Sequence, residues 1–144
     1  MLSVYPACIY KEKEGNYSII FPDLNHLATC GDNLNQAMEM AVDCLAGYLY
    51  EAKLNHEPLP NPSDIKHIDV DSEYSEYEEA FVNMIAVDVE AYAKLNFTKS
   101  VKKTLTIPRW LNDIAVSKKV NFSKTLQNAL IDELDIDISQ LNKA

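Results

Sequence analysis

Three cysteines, Cys8, Cys30 and Cys44, are too few and too irregularly spaced for a disulfide framework. Their number is odd, no CxxC pair occurs, and all three fall among apolar neighbours, so buried reduced thiols and a cytoplasmic setting are expected. The three histidines, His26, His56 and His67, form neither HxxH nor HxxxH, which removes the usual zinc-ligand spacing. No apolar run approaches the ~20 residues of a membrane span. The opening Met1-Leu-Ser-Val-Tyr-Pro6 carries no cationic stretch. Neither export nor membrane insertion is expected, and nothing in the sequence asks for a metal or a cofactor.

Charge is plentiful, and its sign changes along the chain. Residues 1–97 hold 5 Lys, no Arg and 17 acidic residues, a net −12, whereas residues 98–144 hold 8 cations and 5 acids, a net +3. Within the second part, residues 98–124 carry 7 cations against Asp113 alone. Opposite charge in two parts implies two binding tasks with different partners. The 144 residues suffice for a compact domain at 1–97 and a small dimerising module at 98–144.

In the first part, Leu2–Tyr10 and Tyr17–Phe21 are rich in β-branched and aromatic residues. They flank the turn cluster Lys13-Glu-Gly-Asn16, which predicts a hairpin. Pro22-Asp-Leu-Asn25 breaks the second strand, and Leu27–Cys30 offers a third that ends at Gly31-Asp32. From Asn33 the period changes. Leu34, Ala37, Met38, Ala41, Val42, Leu45, Leu49 and Ala52 make one apolar stripe on a helix, with Asn33 as N-cap and Gln36 completing a capping box. Pro58, Pro60 and Pro62 close that helix. Six carboxylates, Asp69, Asp71, Glu73, Glu76, Glu78 and Glu79, alternate with Tyr74 and Tyr77 in what reads as a solvated loop or an acidic edge for a basic partner. Ala80–Val89 is apolar enough for a fourth strand covered on both faces. The order β-β-β-α-β predicts an α+β domain with its helix on the sheet.

In the second part, residues along Lys102-Lys-Thr-Leu-Thr-Ile107 alternate in direction. Leu105 and Ile107 share an inner face, while Lys102, Thr104 and Thr106 share a polar outer face suited to base edges in a major groove. Lys103 faces inward and departs from a fully apolar inner face; either its alkyl stem packs while the amine reaches out, or the strand begins only at Thr104. Pro108 suits the first turn of a helix on which Trp110, Leu111, Ile114, Ala115 and Lys118 follow helical spacing. Asn121-Phe-Ser123 is expected as the turn, with Ser123 capping a second helix that turns Leu126, Ala129, Leu130 and Ile131 or Leu134 inward. Arg109, Lys124 and the amides of Phe122 and Ser123 are the expected phosphate contacts. Trp110 is expected at a core or dimer contact. A lone strand leaves its edge unpaired, so this ribbon-helix-helix pattern implies a homodimer. A helix-turn-helix over Leu111–Leu130 is the alternative; Thr-Leu-Thr-Ile is poor helix material and favours the ribbon.

Tyr5-Pro-Ala, Phe21-Pro-Asp-Leu24, Thr29-Cys-Gly-Asp32 leading into an amphipathic helix, and Leu59-Pro-Asn-Pro62 together resemble the HicB-type antitoxins, from Tyr5 to about Leu134. The resemblance implies a partial ribonuclease H-like first domain that binds and blocks HicA, a small messenger-RNA-cleaving toxin. It also implies a C-terminal domain that represses the operon at its operator, the ribbon-helix-helix being one of two C-terminal types in that family. Phe21, Asp23, Leu24, Asp69, Asp71, Glu73 and Glu76 are then the expected toxin contacts. A residual nuclease is the competing reading, but the strand Leu2–Tyr10 holds no carboxylate, and Asp23, Asp32, Glu39 and Asp88 show no converging pattern. No catalytic residue is expected. A ligand-sensing operator-binding regulator without a toxin is a third reading.

Overall fold

The computed structural model describes residues 1–97 and 100–140, and the chain divides into two compact units, Met1–Thr98 and Lys99–Ala144. In the first unit, strands β1 (Ser3–Lys11), β2 (Tyr17–Phe21) and β3 (Leu27–Gly31) precede helix α1 (Leu34–Leu54), which is followed by β4 (Glu79–Val87) and helix α2 (Val89–Asn96). The sheet runs β3-β2-β1-β4, with every neighbouring pair antiparallel. Gly15 makes the hairpin turn at φ +92°, its amide bonded to the Glu12 carbonyl at 3.0 Å. Only glycine enters that region without strain.

Pro6 lies within the central strand, where proline is normally excluded. The β1–β2 ladder covers only Cys8–Lys11, so at Pro6 the chain pairs with β4 alone and the missing N–H interrupts no ladder bond. Odd-numbered residues of β1 (Tyr5, Ala7, Ile9) join Ile19, Phe21, Leu24, Ile85 and Val87 beneath α1, which contributes Ala37, Ala41, Leu45, Ala46 and Leu49. Three alanines on that helix face let its backbone approach the sheet. Each fully buried Leu or Ile adds about 1.5–3 kcal/mol. Leu34, expected in this stripe, sits exposed on the first turn. Asn33 caps α1 as expected, accepting from the Gln36 amide at 3.0 Å, but Gln36 Oε1 accepts from the Asp32 amide rather than closing the box on Asn33 itself.

Three further expectations are corrected. Cys8 is buried and Cys44 half-buried, but Cys30 is exposed, because it alternates with Thr29 on the margin strand β3 and lies, with Ala28, on the face away from α1. β4 is a margin strand, with Phe81, Asn83 and Ala86 exposed, so it is not covered on both faces within this chain. It also ends at Val87, where Asp88 accepts from the Ala91 amide at 3.1 Å and starts α2, a helix the apolar run concealed.

In the second unit, α3 (Arg109–Ser117) and α4 (Phe122–Glu133) form where helices are expected. Pro108 is the N-cap of α3 and not its first residue. The turn falls at Lys118–Val120, with Lys119 at φ 55°, and Asn121 caps α4 by accepting from the Lys124 amide at 3.1 Å. Ser123 therefore lies inside the helix: an Asn two residues earlier satisfies the orphan amide first. Residues 101–107 form no strand within the single chain.

Candidate functional site

In the first unit the loop after β2 ties three distant segments together. Asp23 accepts from the Ser63 amide at 2.8 Å and hydroxyl at 2.6 Å, holding the Pro-rich segment. Asn25 Nδ2 donates to the Tyr48 hydroxyl on α1 at 2.9 Å, and His26 Nδ1 meets the nearly buried Glu73 carboxylate at 2.6 Å. Asn25 and His26 take left-handed φ values of 54° and 58° to aim these side chains, an allowed but uncommon conformation. Phe21 and Leu24 are wholly buried in the core, so the expectation that their side chains meet a partner is corrected; they position the loop instead.

The acidic stretch is an ordered strap over the face of the sheet opposite α1. Tyr10, on β1, donates to the Val70 carbonyl at 2.6 Å, and its ring meets Tyr74 edge-on at 5.5 Å and Tyr77 at 5.4 Å. Burial pushes the Tyr10 phenol well above its ordinary value, with the neighbouring Cys8 adding to it. Asp71 accepts from the Tyr77 hydroxyl at 2.5 Å and thereby raises that phenol's pKa, and burial with nearby Glu12 raises Tyr74. Asp69 Oδ1 accepts from the Asp71 amide at 3.0 Å. Of the four expected contact carboxylates in this stretch, Asp69 and Asp71 brace the strap internally and Glu73 ties it to His26. Glu76 is exposed beside Glu12 and Glu14. The sequence signal for the clamp was the tyrosine pair itself, two aromatics inside a carboxylate run.

The acids weighed for a nuclease lie apart: Asp23 holds Ser63, Asp88 caps α2, and among the described residues no three His, Cys, Asp or Glu side chains gather as a cation site. Among the described residues no helix is long and apolar enough to cross a membrane.

In the second unit, Lys102, Thr104 and Thr106 are exposed in the segment before α3, and Arg109 is the first residue of that helix. Phe122, Ser123 and Lys124 make the first turn of α4, where helix amides have no intrahelical partner; Asn121 caps the Lys124 amide. Among the described residues of this unit none is buried. Leu105 is 64 % exposed and Trp110 66 %, and Leu111, Ile114, Leu130 and Leu134 are exposed as well.

The sequence family described as HicB-like antitoxin of bacterial toxin-antitoxin system matches residues 5–134. Antitoxin HicB 1 of Photorhabdus laumondii is 37 % identical over 68 residues; the matched part spans 46 % of this chain and 44 % of that protein, less than half its length. A chain of a solved toxin–antitoxin complex from Streptococcus pneumoniae is 32 % identical and superposes with a TM-score of 0.61, covering 92 % of this chain and 99 % of the other.

Proposed function

The chain belongs to the HicB-like antitoxins of bacterial toxin-antitoxin systems, a regulatory family and not an enzyme, and we propose that it divides that role between its two units. Met1–Thr98, the partial ribonuclease H-like domain that the family resemblance implies, binds and neutralises a small HicA-type ribonuclease. Lys99–Ala144, read as a ribbon-helix-helix, pairs with a second copy and binds the operator of its own operon. The toxin partner is supported by the likeness to a chain from a toxin–antitoxin complex. The observation that carries the division is that none of the described residues of the second unit is buried, in a unit with a cationic segment and a net charge opposite in sign to the −12 of the first. A module of under 50 residues without a core does not hold two helices together in water. A second copy covers Leu105, Ile107, Trp110 and Leu111, and also supplies the strand against which residues 102–107 pair.

Lys102, Thr104 and Thr106 then face bases, while Arg109, Lys124 and the first amides of α4 hold phosphates. Co-expression tests the division. Residues 1–97 alone should relieve the growth arrest caused by the small protein encoded beside this gene and should not bind operator DNA. A truncated domain that is folded by circular dichroism but neither binds that protein nor relieves the arrest overturns it.

A further inference from the structure

Strand β4 lies at a margin of the sheet and pairs with β1 alone. The phase of that pairing is fixed by two observations. Pro6, opposite Met84, has no N–H to donate, and the Lys11 carbonyl, opposite Glu79, accepts from the Glu78 amide at 2.8 Å. Since alternate pairs of an antiparallel ladder exchange their bonds, the odd-numbered residues of β4 bond to β1. The N–H and C=O groups of Ala80, Val82, Met84 and Ala86 point away from the sheet. Consistent with this, the Met84 amide donates to Asn83 Oδ1 at 3.0 Å, a side chain standing in for a missing strand.

Protein edges are ordinarily blunted by brevity, lysine, proline or a covering element. β4 has nine residues, Glu79-Ala-Phe-Val-Asn-Met-Ile-Ala-Val87, with no Lys, Pro or Gly and its single charge at one end. Phe81 remains 39 % exposed on it. The opposite margin differs: β3 has five residues and lies along α1, with Cys44 Sγ 3.9 Å from the Ala28 carbonyl. Self-pairing of β4 about Asn83 would set Glu78 against Asp88 of the second copy and bring two −12 units edge to edge, an unfavourable cross-strand arrangement. A cationic partner meets the opposite balance.

We propose that the outward edge of β4 receives an extended segment of a cationic protein as a fifth strand, and that this protein is the toxin. The inference rests on the toxin-binding reading above. Strand addition of this kind draws affinity from main-chain bonds and selectivity from alternate side chains.

The test uses the full chain and the small protein encoded beside it. Amide hydrogen exchange with and without that protein should show new protection at Val82, Met84 and Ala86, with Asn83 and Ile85 already slow in the free chain. Met84→Pro removes one outward donor while leaving the β1 ladder intact, and should weaken binding by about tenfold or more; Ala28→Pro on the other margin should leave affinity unchanged. Full-affinity binding with the amides of Val82, Met84 and Ala86 still exchanging fast overturns the edge assignment while leaving the toxin-binding reading standing. Concentration-dependent protection of those amides without the second protein overturns it in favour of self-pairing. No binding by the wild-type chain overturns both. Should Met84→Pro fail to fold, the exchange measurement on the wild type decides alone.

Discussion

The end of β3 and the first turn of α1 meet so closely that a single methyl group should separate them. A Cβ built at Gly31 would lie 2.4 Å from the Ala37 amide nitrogen, 2.7 Å from Ala37 Cα and 2.9 Å from the Gln36 carbonyl carbon. All three are backbone atoms of a helix end already fixed by Asn33, Gln36 and the buried Ala37, so no side chain can swing aside. Overpacking of this kind costs about 1–3 kcal/mol. For a unit of this size each kcal/mol lowers the melting temperature by about 4–8 °C, so Gly31→Ala should melt about 5–20 °C early. Gly47→Ala should act with the opposite sign. Its Cβ would meet only the Phe97 ring at 4.0 Å, and alanine in a helix interior is favoured by about 0.5–1 kcal/mol. All eight tyrosines lie in residues 1–97 and the single tryptophan is Trp110, so near-ultraviolet tyrosine dichroism and Trp110 fluorescence follow the two units separately. The tyrosine transition should move and the tryptophan one should not. A Gly31→Ala protein melting within about 2 °C of the wild type refutes the packing argument.

Alkali should release the strap. The Tyr10, Tyr74 and Tyr77 phenols are all raised above 10.0 in the folded chain, so their contribution is complete below pH ~10 and is lost as pH rises through the folded values; tyrosinate absorbance should lag that of the unfolded chain, and coincident titrations would contradict the clamp. In the second unit, Thr104→Ala or Thr106→Ala should reduce discrimination between operator and random DNA by about 1–3 kcal/mol per lost contact, whereas Lys124→Ala should weaken all sequences alike and reduce the salt slope of the dimer by about two, roughly 0.9 for each copy. Filter binding at several salt concentrations would reveal the reverse pattern, which would exchange the two roles.

The strands and α1 were legible because each is specified locally: the hairpin by its turn, α1 by its stripe and its Asn33 cap. The second unit's two helices were legible for the same reason. Boundaries failed where two residues competed for one role. Asn121 and Ser123 can each cap a helix, and Asp88 starts α2 inside a run, Ile85-Ala-Val-Asp-Val89, that also alternates like a strand. The candidate surface was less legible. Phe21 and Leu24 are apolar residues in a loop, and the sequence does not say that the loop folds inward; the bonds that turn it, Asp23 to Ser63 and His26 to Glu73, span 40 and 47 residues. The acidic run was visible as composition, but its tether was not, because Tyr10 lies 60 residues from Val70. The open margin of β4 depends on strand order, which periodicity does not encode.

The second unit, on this reading, is complete only as a pair. Sedimentation equilibrium of residues 99–144, read together with helical dichroism and Trp110 emission over a range of concentrations, tests it most directly. Helix content and a blue-shifted Trp110 emission should appear only with the dimer, and the unfolding midpoint should rise with concentration. A helical monomer with a concentration-independent midpoint would contradict it.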